Sequence, residues 1–304
     1  MGNRLLQVPL MGRLGNQLFI YAAARAIALK QGRRMCYSDF DFTLWHNDSR
    51  LDCFKLSEEV SYKKSLSLTT KHKLGNFIYK FLCRHKDANQ VLEMERKKQW
   101  IFHMFDMFMC QEGYIIPPNF QCDNLFIFGY FQCEKFFIEY IDTIRNELEF
   151  KTELFSEDSC KLANHIAGDP NSVCLHIRRG DYLKNPVFNV CKEKYYYRAI
   201  DKMKDIVPDA NYYVFSDNIE EVKSLFSKYT DLKFSYIDSK YTDQESMYLG
   251  SSCSHFIMTN SSYSWWMQFL SKNPNKNVIA PNRWFGVERP CNIYQDNWLL
   301  VEVQ

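Results

Sequence analysis

From residue 173 to residue 280, short apolar runs alternate with segments of helical character, and this alternation constrains the fold more than any other feature of the chain. Residues 173–177, 212–216, 234–237, 255–259 and 278–280 predict strands; residues 195–206, 219–229, 243–253 and 263–270 predict helices. Strands joined by crossover helices give a parallel sheet covered on both faces. Ligands meet such sheets just beyond the carboxyl ends of the strands.

The first half predicts a less regular version of the same plan. Residues 5–10 predict a strand, 11–17 a turn, and the Ala-rich stretch 18–30 a helix stopped near Gly32. Residues 35–37 and 124–130 predict two more strands. Over 131–150, Phe136, Phe137, Tyr140, Ile141 and Ile144 recur at helical spacing and predict a helix. Residues 57–100 are polar and basic; they predict either an exposed helical insertion or a patch that meets an anionic membrane or a lipid-linked acceptor. The polar stretch 152–169 sets a boundary between domains 1–152 and 153–304, the last residues of the second crossing back. Two such halves facing one another enclose a cleft, where sites often lie.

Three strand ends of the second half carry polar tips. The run 173–177 ends in Arg178, Arg179, Gly180 and Asp181; two adjacent guanidiniums offer forked donors that suit phosphate oxygens. Gly180 lets the backbone turn away, with a positive φ open to it. Asp181 is placed to hold one arginine, leaving an anionic ligand for the other. At the second tip, Asp217 either accepts from a base or diol or caps the next helix, and Asn218 suits a helix N-cap. At the third, Ser261, Ser262 and Ser264 open a helix and either cap it or donate to an anion. His176 is either a satisfied core residue or a ligand. Together these features describe a nucleoside diphosphate pocket.

A formal net charge of +2 argues against nucleic acid as a partner. The eleven cysteines are scattered with no CxxC pair and read as reduced thiols. No long apolar run predicts a membrane span and no secretion signal is evident, so the expected compartment is the cytoplasm, with peripheral contact to the inner face of the membrane open. The seven histidines show no ligand pairing, so no metal set is expected and the arginines must meet leaving-group charge themselves.

The chain resembles glycosyltransferase family 11, the α-1,2-fucosyltransferases of bacterial type. His176-Ile177-Arg178-Arg179-Gly180-Asp181-Tyr182 is similar to the family's HxRRGDY signature. Residues 212–218 resemble its second motif, although Asn218 stands where an aspartate is often found, and residues 256–266 resemble its third. Residues 12–19 resemble its first turn, with Arg13 in place of a usual glycine, and residues 129–136 are similar to a further block. The resemblance implies an α/β GT-B fold, two Rossmann-like domains facing a central cleft. It also implies inverting, metal-independent transfer of L-fucose from GDP-fucose to O2 of a terminal galactose, with no cofactor. The acceptor would be a galactose-terminated oligosaccharide or lipid-linked glycan. Arg178 and Arg179 would grip the diphosphate, and Asp181 would orient an arginine or act as base. His176, Asp217 and Asn218 would lie near the guanosine, and Ser261, Ser262 and Tyr263 near the phosphates. Asn16 and Gln17 would close from the opposite wall, and Tyr130, Gln132 and Glu134 would stand on the acceptor side. Asp39, Asp41 and Glu134 are further carboxylates for the base. Two alternatives stay open: a metal-free GT-B transferase for another nucleotide sugar, and a non-catalytic nucleotide- or carbohydrate-binding protein.

Overall fold

The computed structural model describes residues 4–42 and 45–304, with side chains except those of 40–42 and 45–47. The chain divides into two compact units, one reaching to Glu149 and including Arg289–Tyr294, the other formed by Phe150–Glu288 and Gln295–Gln304.

The first unit is built on β1 (Leu5–Leu10), whose Leu6, Val8 and Leu10 are fully buried. A sheet forms around it in the order β3–β2–β1–β6–β5, using β2 (Arg34–Phe42), β3 (Trp45–Asn47), β5 (Met107–Cys110) and β6 (Asn124–Gly129). β4 (Val60–Lys63) also pairs with β2, and every pairing is parallel except β2 with β3. Helix α1 (Leu14–Lys30) is buried almost all round, as its Ala-rich, largely apolar sequence requires. The one charge deep in it, Arg25, is matched by Glu147 at 2.9 Å and Glu59 at 3.1 Å. α1 starts earlier than the sequence predicts, so the turn is confined to residues 11–13 and Asn16 and Gln17 lie in the first helical turn. Gly12 takes the left-handed conformation, φ 71°, that this tight entry needs.

Two expectations are corrected here. Residues 57–100 are not an insertion outside the fold: β4 joins the sheet, and α2 (Thr70–Cys83) and α3 (Ala88–Met104) cover it. Tyr79, Met94 and Phe102 pack there against Met107, Met109 and Phe126. The helix expected over 131–150 is broken into two single 3-10 turns, Glu134–Phe136 and Ile138–Tyr140, before α4 (Ile141–Glu147). Phe131 sits at φ 51°, which no α-helix tolerates.

In the second unit α5 (Glu157–Ala167) leads to β7 (Ser172–Ile177), then α6 (Gly180–Lys184) and α7 (Glu193–Ile206). β8 (Asn211–Ser216), α8 (Ile219–Leu225), β9 (Lys233–Tyr236), α9 (Asp243–Ser251), β10 (His255–Ile257) and α10 (Ser262–Leu270) continue the alternation. β11 (Val278–Pro281) and β12 (Leu299–Val301) complete an all-parallel sheet ordered β12–β11–β10–β7–β8–β9. β7 is buried at every position, and its two-residue period sorts its side chains. Val173, Leu175 and Ile177 join Tyr195, Tyr196, Ala199 and Met203 of α7 in one core cluster. Each such aliphatic side chain stabilises the fold by about 1.5–3 kcal/mol. Cys174 and His176 turn the other way, to α10: Cys174 Sγ lies 3.8 Å from Met267 Sδ.

The segment Arg289–Tyr294 leaves this unit for the first, where Arg289 makes a two-pronged ion pair with Glu112, one prong at 3.2 Å. All eleven cysteines are free thiols. Among the described residues no helix is long and apolar enough to cross a membrane.

Candidate active site

The site candidates of the second unit converge at the carboxyl ends of β7, β8 and β10. His176 is the last β7 side chain on the face turned to α10, and its Nδ1 lies 2.5 Å from Ser264 Oγ in the first turn of that helix. Burial, reinforced by the Arg178 charge, lowers its pKa to about 3, so the ring is neutral at physiological pH.

The two arginines are held differently. Arg178 Nη2 donates to Asp181 Oδ1 at 2.6 Å and lies 3.5 Å from Asp217 Oδ2. Burial opposes its charge, and Asp217, then Tyr182 and Asp181, more than offset that cost. Its guanidinium carbon stands 5.0 Å from the centre of the Tyr182 ring, and the Tyr182 hydroxyl reaches Ser261. Tyr182 therefore ties the arginine turn to the start of α10. The Nε–H of Arg178 is buried with no hydrogen-bond partner among the described residues. A buried donor left this way costs about 1–3 kcal/mol, so the site gains when an acceptor arrives.

Arg179 turns towards α8. Its guanidinium forks onto Glu221, with Nε donating at 2.9 Å. Its main-chain N–H donates to Asp217 Oδ1 at 2.8 Å. Both oxygens of Asp217 thus face the arginine turn. Asn218 is the N-cap of α8, accepting from the Glu221 N–H, and its side chain donates to Glu221 at 3.0 Å. Arg179 also borders an open cavity of about 760 Å³ in this unit, shared with Lys192, Lys194 and Arg283.

Gly180 corrects another expectation. It starts α6 and is not among the glycines with positive φ. Its lack of a side chain matters for proximity: a Cβ there would lie 2.8 Å from Asp217 Oδ2.

At the third strand end Ser261 caps α10, accepting from the Tyr263 N–H at 3.3 Å. The Tyr263 hydroxyl donates to the carbonyl of Asp243, and its ring lies 5.4 Å from His176. Ser262 is the first residue of α10, half-buried beside them.

The remaining candidates belong to the first unit. Gln132 Nε2 donates to Asn16 Oδ1 at 2.8 Å, joining the end of β6 to the first turn of α1. Gln17 is fully buried: its amide donates to the carbonyls of Gly12 and Asp48 and accepts from the Arg50 N–H. It pins a loop. Tyr130 follows Gly129, at φ 157° and with Cys110 O where a Cβ would sit; burial raises the Tyr130 pKa, then Glu112. Glu134 opens the 3-10 turn. Asp39 has both oxygens engaged, by the Ser49 N–H and the Tyr62 hydroxyl, each at 2.7 Å. The Asp41 side chain lies outside the described residues.

Sequence reasoning gave Glu221 and Tyr182 no role at the site, and it read Ser264 as a cap or an anion donor where the structure makes it the partner of His176. The Asn-x-x-Glu pattern at 218–221 signals a helix start, but its link to Arg179 spans 42 residues and is invisible locally. Among the described residues no group of three or more His, Cys, Asp or Glu side chains is placed to hold a metal ion.

Over residues 5–302 the chain matches the family model Glycosyl transferase family 11. It is 28% identical to an alpha-1,2-colitosyltransferase of Escherichia coli, covering 96% of this chain and 97% of that one. It is 27% identical to the O-antigen biosynthesis glycosyltransferase WbnK of the same organism, covering 95% and 98%. A galactoside 2-alpha-L-fucosyltransferase of Caenorhabditis elegans is 26% identical over 53% of this chain and 47% of its own length. Among solved structures, the alpha-1,6-fucosyltransferase NodZ soaked with GDP-fucose superposes with TM-score 0.57 at 13% identity, over 94% of this chain and 99% of that one. A point mutant of Arabidopsis thaliana FUT1 in complex with GDP gives 0.52 at 11% identity, over 92% and 71%. These likenesses show the fold, the α/β GT-B architecture of fucosyltransferases.

Proposed function

The chain belongs to glycosyltransferase family 11, and on that premise we propose that it transfers L-fucose from GDP-fucose to O2 of a terminal galactose, with inversion and without a metal ion. The observation that carries this reading is the buried, unsatisfied Nε–H of Arg178, on a guanidinium already oriented by Asp181 and Asp217. A β-phosphate oxygen is the acceptor this donor suits. As the glycosidic bond breaks, positive charge develops on the sugar and negative charge on the departing diphosphate. Arg178 meets that charge from a fixed position, which is where electrostatic stabilisation is most effective. Ser261 and Ser262, at the start of α10, offer further donors to the same phosphates. Asp181 orients Arg178. The acceptor proposed is a galactose-terminated glycan, free or lipid-linked.

The relative named as a colitosyltransferase favours one second reading, a GDP-colitose donor on the same phosphate grip. Incubation with a panel of nucleotide sugars, with product linkage read by NMR, separates the two. Consumption of GDP-fucose supports the first reading, and consumption of GDP-colitose in its place the second. Crystals soaked in GDP test the grip itself. The diphosphate is expected within hydrogen-bond distance of Arg178 Nε, and finding it only against Lys192 and Arg283 would overturn the assignment.

A further inference from the structure

Helix α2 has a second face that the sheet does not use. His72, Gly75 and Tyr79 are buried beneath it. At 3.6 residues per turn, Leu74, Phe77 and Phe81 fall on the opposite side in one stripe. Phe77 is 69% exposed and Phe81 70%. Lys73, Lys80 and Arg84 flank that stripe along one edge. Trp100, 59% exposed, and Met104 add apolar surface at the last turns of α3. That end of α3 lies beside the first turns of α2, since Gly75 packs against Phe105 and Lys71 pairs with Asp106 at 2.7 Å. Residues 70–104 carry eight Lys and Arg against three acids, +5 in a chain whose whole formal charge is +2. Of those three acids, Glu95 is buried.

We propose that the outward faces of α2 and the end of α3 form a docking surface for an anionic phospholipid bilayer, with Phe77 and Phe81 entering the interface and the flanking cations meeting the headgroups. An aromatic stripe edged by Lys and Arg is the arrangement that holds a helix in the plane of a membrane surface. Charge selects this occupant over a second copy of the chain, which would bring +5 against +5. Anionic lipid headgroups attract such a segment, and the attraction weakens with salt. The inference does not depend on which sugar the enzyme transfers.

The test is flotation of the full chain with vesicles of phosphatidylcholine containing phosphatidylglycerol, against vesicles of phosphatidylcholine alone. Binding is expected only with the anionic lipid and should fall as salt rises. The double variant Phe77→Ser, Phe81→Ser should lose binding on the order of a hundredfold, and Lys73→Glu with Arg84→Glu on the order of tenfold or more. Both pairs are solvent-exposed, so melting temperature and transfer to a water-soluble acceptor should match the parent protein. No binding to anionic vesicles at low salt would overturn the proposal. So would binding that the double serine variant leaves intact, or a concentration-dependent dimer abolished by that variant in a protein that ignores vesicles.

Discussion

The main-chain N–H of Arg179 donates to Oδ1 of Asp217 at 2.8 Å, so a side chain at the end of β8 fixes the turn that follows β7. One carboxylate thereby sets the backbone of Arg179 and, from its other oxygen at 3.5 Å, the guanidinium of Arg178. Asp217→Ala should lower kcat/KM by about tenfold to a hundredfold, the worth of a charge-assisted hydrogen bond. Asp217→Asn keeps an acceptor for the Arg179 N–H and should fall between the two. Steady-state kinetics beside GDP titration calorimetry checks this; equal activity in the alanine variant and the parent would show that the turn holds without Asp217.

Gly180→Ala probes the same contact from the other side. The new methyl would crowd Asp217 Oδ2 at 2.8 Å, while alanine suits a helical backbone better than glycine by up to ~1 kcal/mol. Turnover should drop about tenfold with thermal stability unchanged or raised. A parallel loss of stability and turnover would instead point to a folding defect.

Glu245 contributes to the acid stability of the second unit. Burial alone would raise its pKa, but hydrogen bonds from Ser156, Thr242 and Ser159 win and hold it at about 2, below the usual 4.5. A carboxylate with a depressed folded pKa stabilises the fold fully above pH 4.5 and loses that contribution as pH falls towards 2. The difference corresponds to about 3 kcal/mol. Glu245→Gln should be less stable by about that order at neutral pH, and its denaturant midpoint should change less between pH 5 and 3 than the parent's.

His176 should show no titration in NMR spectra of its ring nitrogens between roughly pH 5 and 8. Its folded pKa of about 3 lies below the usual 6.5, so the unfolded chain takes up a proton that the native one refuses. Its contribution to stability is therefore present above pH 6.5 and lost as pH falls from there towards 3. A ring signal moving with a midpoint near 6.5 would refute the neutral, Ser264-bonded state.

Removing Glu147 should destabilise the first unit by about 3–5 kcal/mol, because Arg25 would remain buried with only half-exposed Glu59 to match it. Glu147→Ala, compared with the parent in urea unfolding, gives this directly; Tyr21 also loses its 2.6 Å acceptor.

The second sheet was legible because most of its strands are short apolar runs and several helix starts carry their own caps, at Asn218, Thr242 and Ser261 for instance. In the first unit those signals fade. β5 is four residues, Met-Phe-Met-Cys, only two residues beyond the apolar last turn of α3, so the local pattern hardly separates the two. The 131–150 stretch kept helical spacing in its apolar residues while the backbone broke at Phe131 and Phe137, because side-chain burial there is satisfied by consecutive short turns. At the site, the arginines, Asp181 and the serines were legible as a motif. Asp181 was legible as the partner of one arginine, but the contacts of Asp217 and Glu221 were not, since those side chains reach the turn only through strand order.

Glu112 receives its ion-pair partner from residue 289, after residues 150–288 of the other unit have been made. On a ribosome the first half therefore emerges with a gap in its electrostatics that only the closing segment can fill. A nascent chain stalled before that segment would carry an unfinished first unit, and so would any gene truncated there. Residues 289–294 are in that sense a completion signal for the half that was synthesised first.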